Sequence, residues 1–320
     1  METITPNLGR YKHPRNMLPL LKYTFLVLVS FFIAHNLSNF VTGPSSSSSS
    51  SSDKDMNIQI YSHNIRFDNK GAKGAEKPWS ERKLPLTESV SFHSFGVPTV
   101  VCLQEVLKNQ LDDILALLNQ HSVKEDDWTY FGVGRNDGKE AGEYSPVIYR
   151  KSDFELLEGG SFWLSETPNV PSRGWDADQT RIATWTHLKH RLSGEKINVF
   201  NTHLDHKGQK SREEAVKLIA QKTRSYNDDV SFIAGDFNSE PNEEAYQTLK
   251  NYLKDTRLYN NQMYGYKNTF TGFDDDEEHK VIDYVFVDDR VKEAKLFGVL
   301  ENKFNFYSSD HRPLLVKFEI

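Results

Sequence analysis

The sequence predicts an α/β fold, a four-layered sandwich of two packed mixed β-sheets flanked by helices. Three observations predict it. Short runs rich in β-branched and aromatic residues recur through the last five-sixths of the chain, several of them alternating apolar and polar residues as half-buried strands do. Two longer stretches carry apolar residues at helical spacing. Some strand runs are joined by a short turn, others are separated by a helix, and no repeat of solenoid period is present.

The expected strands, in order, are NIQIYSHNI (57–65), TVVCLQE (99–105), SPVIYR (145–150), TRIATWTHLKH (180–190), KINVFNTHL (196–204), VSFIAGDFN (230–238), VIDYVFVD (281–288) and LLVKFEI (314–320). The fourth and fifth read as a hairpin joined by RLSGE. One helix is expected over 106–121, where Val106, Leu107, Leu111, Ile114, Leu115 and Leu118 share a face, and another over 209–226, with Ala215, Val216, Leu218 and Ile219.

Composition narrows the function. With 37% hydrophobic and 26% charged residues, the chain is neither disordered, collagenous nor a polytopic membrane protein. A single cysteine, Cys102, excludes an internal disulfide and a cysteine-based zinc site, and its apolar setting reads as core. Net charge is −6, with Arg10, Lys12, Arg15 and Lys22 against Glu2 giving +3 over residues 1–52 and leaving −9 for the rest. An acidic domain counts modestly against sequence-blind binding of nucleic acid.

Four segments are expected: a basic tail (1–17), an apolar stretch (18–41), a serine-rich linker (42–56) and one folded domain (57–320). Residues 18–41 are long enough to span a bilayer of about 20 apolar residues. Their uninterrupted core, Tyr23 to Ala34, also suits a signal peptide, and a buried soluble helix is the bland alternative. The favoured expectation is a signal-anchor, because VTGPSS is a poor cleavage site. That makes a single-pass membrane protein with its domain on the lumenal or extracellular side; a secreted protein is the alternative. Ser45 to Ser52 cannot bury apolar surface and reads as a flexible stalk.

Polar residues collect where the strands run out, the end at which α/β folds hold ligands. Asn64 ends the first strand, Glu105 the second, His203 the fifth, and Asp236 and Asn238 the sixth. Glu143 and Tyr144 precede the third, Arg181 opens the fourth, Asp283 lies in the seventh, and Asp310 and His311 precede the last. Singly, each has an ordinary reading: an Asp or Asn in a turn, or Glu105 as a helix cap.

Together, HNIRFD, LQE, GEYSPVIYR, TRIATW, NTHLDH, GDFN, IDYVFV and SDHRP stand in the order of the endonuclease/exonuclease/phosphatase superfamily, which the domain resembles throughout. The resemblance implies a divalent-metal-dependent phosphoester hydrolase, a phosphodiesterase or phosphatase, cleaving a P–O bond by metal-assisted attack of water. It implies Mg²⁺, or Mn²⁺, on Glu105 and Asp310 with Asn64 as a further oxygen ligand or phosphate contact. Asp236 and Asn238 would position and deprotonate water. Asp283 would orient His311 against the phosphate, and His203 with Glu143 would form the acid for the leaving oxygen. Arg181 and Tyr144 would contact the phosphate, with Tyr144 the alternative to Glu143 as catalytic partner.

The expected partner is a phosphorylated small molecule or lipid, met by a monomeric domain. An endo- or exonuclease on DNA or RNA is the runner-up, and a catalytically inactive binding module a weaker third. The acidic run Asp274–Glu278 reads as a solvated loop rather than a second metal site.

Overall fold

The computed structural model describes residues 57–320 apart from 121, 123, 275–279 and 292. The expected tail, membrane or signal segment and serine linker (1–56), and most of the acidic run, lie outside the described residues. Among the described residues, no helix is long and apolar enough to cross a membrane.

Among the described residues, thirteen strands form two mixed sheets. In chain order they are β1 (Asn57–Asn64), β2 (Thr99–Gln104), β3 (Trp128–Phe131), β4 (Val147–Arg150), β5 (Phe154–Trp163), β6 (Ile182–His190), β7 (Lys196–His203), β8 (Val230–Asp236), β9 (Lys254–Asp255), β10 (Met263–Gly265), β11 (Asp283–Val287), β12 (Leu296–Val299) and β13 (Leu314–Glu319). One sheet has seven strands in the order β10-β12-β13-β1-β2-β4-β3; the other has six, in the order β5-β6-β7-β8-β11-β9. Helices Trp79–His93 and Lys108–Gln120 cover the first, and Gln209–Tyr226 and Glu244–Lys250 the second.

Strand periodicity sorts side chains between the layers. Along β2, Val100 and Cys102 enter the core between the sheets, whereas Val101 and Leu103 pack beneath the helices. Along β11, Val285 and Val287 face the same central core while Tyr284 and Phe286 face Gln209–Tyr226 and Glu244–Lys250. Strands buried on both faces read as near-continuous apolar runs, as both of these do.

The expected hairpin forms, with β6 and β7 antiparallel from Ala183↔Thr202 to Lys189↔Lys196. The helix at Gln209–Tyr226 has the expected bounds, but the earlier helix starts at Lys108 rather than 106. Val106 instead exchanges backbone hydrogen bonds with Tyr144, which lays the 143–144 segment beside Glu105.

Helix Trp79–His93 has no counterpart in the sequence reading. Pro85 sits inside it, and its buried face includes Arg82 and Ser89, so the apolar period is broken. Arg82 is 1% exposed and donates to the carbonyls of Ile65, Arg66, Phe67, Lys77 and Ser308. It pins the turn after β1 against the chain leading to Asp310.

Register brings the polar strand ends together. β1 and β2 run parallel with Asn64 opposite Gln104. β7 and β8 run parallel with His203 opposite Asp236, and β11 pairs antiparallel with β8 so that Asp283 faces Asp236. Asp236 therefore has a functional side chain beside it on each neighbouring strand.

That register needs Gly235. A Cβ there would lie 2.1 Å from the Thr202 carbonyl oxygen of the adjoining strand. Gly235→Ala is expected to cost about 2–4 kcal/mol by forcing β7 and β8 apart. Chemical denaturation of the purified domain checks this; a variant within about 0.5 kcal/mol of wild type, the range of neutral surface changes, would contradict it.

Candidate active site

The strand ends open into a cleft of about 730 Å³ whose wall includes Glu105, Glu143, Arg181, His203, Asp236, Asn238, Asp310 and His311. Behind this wall, Asn64 Nδ2 donates to Glu105 Oε1 at 3.0 Å and to Asp236 Oδ2 at 2.9 Å, so one amide joins a carboxylate from each sheet. Glu105 Oε2 accepts the Phe67 backbone N–H at 3.0 Å. Its oxygens serve this loop and Asn64, so it is not a helix cap. Glu105 and Asn238 both sit at positive φ, 60° and 45°, the kind of strain that accumulates at functional positions.

From the segment before β13, His311 Nδ1 donates to Asp283 of β11 at 2.9 Å, and its Nε2 lies 3.6 Å from Asp236 Oδ2 of β8. Burial alone would lower the His311 pKa, but the charges of Asp283 and Asp236 outweigh it and hold the imidazolium to about 10. Burial and the Asp283 charge raise Asp236 to about 7, into the range of a general base. Burial would also raise Glu105, yet hydrogen bonds from Asn64 and Phe67, with the charges of His311 and Arg66, take it below its ordinary value. Asp310 moves up, driven by burial and by the Glu105 charge, although His311 and Arg66 oppose this.

His203 departs from the sequence reading. Asn238 Nδ2 donates to the Leu204 carbonyl at 3.0 Å, which orients the amide, and to His203 Nε2 at 3.0 Å. The ring is thus neutral with its proton on Nδ1, which is buried and unpartnered. Burial, Arg181 and Arg135 all push its pKa well below the ordinary histidine value. Glu143 does not raise it: the nearest Glu143 oxygen is 3.9 Å from Nδ1, beyond hydrogen-bond range, and is held at 2.6 Å by Arg135. The expected imidazolium–carboxylate acid pair is not formed.

Two further expectations are corrected. Tyr144 is 1% exposed, donates its hydroxyl to the Lys139 carbonyl at 3.0 Å and packs in the core beneath the helices. Successive residues of an extended segment point to opposite sides, so with Glu143 facing the cleft Tyr144 must face away. Asn64 presents its amide nitrogen to the carboxylates while its Oδ1 accepts the Arg66 N–H at 3.0 Å, so the nitrogen, not the expected oxygen, faces Glu105 and Asp236.

Glu105, half-buried, and Asp310, buried, remain as an all-oxygen carboxylate pair, a set that fits a hard divalent cation. Asp236, Asp283 and His311 also offer ligand atoms within 4.8 Å of one another. The Glu105–Asp310 pair offers oxygen alone, which suits a hard cation better than a set that includes an imidazole.

Several site residues escaped the sequence reading. Arg66, at φ 58°, brings its guanidinium to 3.9 Å from Asp310, and Arg135 holds Glu143. Asp205 organises the far side. Its Oδ1 accepts the N–H groups of Asp178, Lys207 and Gly208, and its Oδ2 accepts Gln179 N–H and lies 3.5 Å from Arg181 Nε. Arg212 donates to the Asp205 carbonyl at 3.0 Å, the loop-positioning role its place on the helix suggests. Arg181 Nη1 stays buried without a protein partner. The signal for Asp205 was its place two residues after His203.

An α/β sandwich with a carboxylate pair, an oriented histidine and a buried arginine at the strand ends belongs to the class of metal-assisted phosphoester hydrolases. Residues 62–311 match the Endonuclease/Exonuclease/phosphatase family, and the chain belongs to it; its members are hydrolases of phosphoester bonds. A family protein from Bacteroides thetaiotaomicron is 32% identical in structural alignment, with TM-score 0.75 over 83% of this chain and 99% of that one. The mannosyl-6-phosphatase Bt3783 of the same organism is 32% identical, with TM-score 0.72 over 81% of this chain and 98% of that one. Among curated proteins, an uncharacterized protein of Acanthamoeba polyphaga mimivirus is 30% identical over 173 residues, 49% of this chain and 63% of the relative. The alignments span less than two thirds of the length of the curated relatives the chain matches.

Asp205→Asn is expected to lower stability by about 2–4 kcal/mol at neutral pH, because an amide nitrogen would face the Gln179 and Arg181 donors. Burial opposes the Asp205 charge, but its four backbone donors outweigh that and hold the pKa well below the ordinary value. The wild-type contribution is therefore present above about pH 4, where an unfolded aspartate ionises, and is lost as pH falls further toward the depressed folded value. Urea titrations at pH 7 and pH 3 check this: equal differences between wild type and variant at the two pH values would contradict it.

Proposed function

We propose that this protein is a divalent-metal-dependent hydrolase of small phosphoesters, acting on the phosphatase side of its family. The observation that carries the reading is the convergence on Asp236 Oδ2 of Asn64 at 2.9 Å, His203 at 3.4 Å and His311 at 3.6 Å, beside the Glu105–Asp310 pair. Mg²⁺ is the proposed metal, with Mn²⁺ the alternative. Glu105 and Asp310 would hold it, and when bound it would supply charge neutralisation and polarisation at the phosphoryl group.

Asp236, raised to about 7, takes the proton of the attacking water. The His311 imidazolium, oriented by Asp283, donates Nε2–H to a phosphoryl oxygen, and Arg181 on the cleft wall supplies a fixed charge to another. His203, neutral and also on the wall, keeps Asn238 in place through its Nε2.

Similarity to a mannosyl-6-phosphatase makes sugar phosphates the first substrates to test. The acidic residues Asp178, Glu240 and Glu243 on the cleft wall would repel a polyanion, which counts against the nuclease alternative. Anchoring through residues 18–41 is a separate proposal, supported by their sequence alone. Carbonate extraction of the full chain tests it, and release into the supernatant would contradict it.

Asp236→Asn keeps side-chain size and removes the base, so turnover should fall about 10²–10⁴-fold. Steady-state assay of phenyl phosphate with Mg²⁺, on protein shown to be folded, checks it. Retention of more than about a tenth of wild-type activity, far short of the loss of a general base, would remove Asp236 from that role.

A further inference from the structure

The cleft has two unlike halves. The half beside His311 holds the catalytic cluster and the cleft's aromatic residues, Phe67 and Phe270, the second edge-on to His311 at 5.0 Å between ring centres. The opposite wall is built by Asp178, Gln179, His206, Arg212, Glu240 and Glu243. Every one is a carboxylate, amide, imidazole or guanidinium. Among the described residues, these six give the wall no aromatic face for stacking a nucleobase and no aliphatic surface for an acyl chain.

Its acids and bases are largely matched: Lys207 is bound to Asp178 at 3.0 Å and Arg212 lies 3.8 Å from Glu243, so the wall presents mixed charge rather than the basic stripe a polyanion needs. Hydroxyl groups suit such a surface, because each is both donor and acceptor and needs no charge partner.

Gln179 is the best-placed reader. Its Oε1 accepts from Arg135 Nη2 at 3.4 Å and its Nε2 donates to Asp178 Oδ2 at 2.9 Å, while Asp205 holds its backbone N–H at 2.9 Å. These contacts restrain the exposed amide and leave it one spare N–H and one spare lone pair for a ligand in the cleft. An amide held in this way can give and take one hydrogen bond across a pair of neighbouring hydroxyls at little ordering cost. Beside it, His206 Nδ1 lies 3.2 Å from Arg181 Nη2, so the wall is continuous with the arginine proposed to hold the phosphate.

We infer that this wall is a polyol subsite, and that Gln179 determines specificity for the alcohol half of a phosphomonoester such as a hexose 6-phosphate. The inference rests on the phosphoester-hydrolase reading above and names its substrate side. In the reaction, water oxygen bonds to phosphorus, the P–O bond to the polyol breaks, and the polyol takes up one proton and leaves as the free alcohol with inorganic phosphate. Hydroxyls are read at Gln179 while phosphate is held at Arg181 and His311, so losing the amide should weaken selection of the polyol more than phosphate chemistry itself.

The test measures kcat/KM, with Mg²⁺, for a hexose 6-phosphate and for phenyl phosphate in the full-length wild type, Gln179→Ala and Gln179→Asn. In Gln179→Ala the hexose-to-phenyl ratio should fall at least about tenfold, the size of one or two lost hydrogen bonds, mainly through KM. Gln179→Asn, which keeps a shorter amide, should recover part of the loss. An unchanged ratio in Gln179→Ala, or faster wild-type turnover of a single-stranded oligonucleotide than of the hexose phosphate, overturns the subsite while leaving hydrolase activity established. A wild type that turns over neither phosphate ester overturns the hydrolase reading, and the subsite with it.

Discussion

The amide of Asn64 is the contact on which the site depends. It ends β1 in one sheet, and its single nitrogen donates both to Glu105 of the same sheet and to Asp236 of the other. Arg66 N–H closes on its Oδ1, and Ser309 Oγ donates to its carbonyl at 2.6 Å, so its orientation is fixed from both sides. A second buried clamp lies deeper, where Gln104 donates to Asn201 at 2.7 Å and Asn201 donates to the Leu103 and Pro146 carbonyls. Hydrogen bonds in so dry a setting are strong when satisfied and costly when broken. They fix the separation of the sheets where the carboxylates must face one another.

Charge is distributed around that bridge by neighbours rather than by sequence distance. His311 stays protonated because the charges of Asp283 and Asp236 outweigh its burial, whereas His203 stays neutral because burial, and then Arg181 and Arg135, disfavour its charge. The two histidines stand near the same oxygen of Asp236, at 3.6 and 3.4 Å, yet carry opposite protonation states. One offers a charged donor to the phosphoryl group, the other keeps Asn238 in place through its Nε2. Groups that environment pushes apart in pKa are the usual signature of divided catalytic labour. Asp205 extends the arrangement outward by tying the turn at 178–179 and the turn at 207–208 to Arg181.

Residues at strand ends were legible in the sequence because strands announce themselves by period and composition. Asp236, His203, Asp283, Asp310 and His311 all meet where those runs stop. What could not be read was orientation. Glu143 and Tyr144 are adjacent, and only the pairing of Tyr144 with Val106 decides which of them faces the cleft. Asn64 was visible, but which atom of its amide points inward depends on Arg66, whose backbone turns left-handed. Helix Trp79–His93 was hidden because a proline and a buried arginine occupy positions where periodicity asks for apolar residues. Short strands such as β9 and β12 are held by pairing across the sheet more than by their own composition.

The central claim is that the two histidines beside Asp236, His203 and His311, hold opposite protonation states. Ring ¹⁵N NMR of the full-length protein, titrated from pH 6 to pH 9, tests it most directly. His311 should show two protonated nitrogens across the range, consistent with a pKa of about 10, and His203 should stay neutral with its proton on Nδ1. A His311 that loses its charge near the ordinary histidine value, or a His203 that carries one at pH 7, would contradict the account.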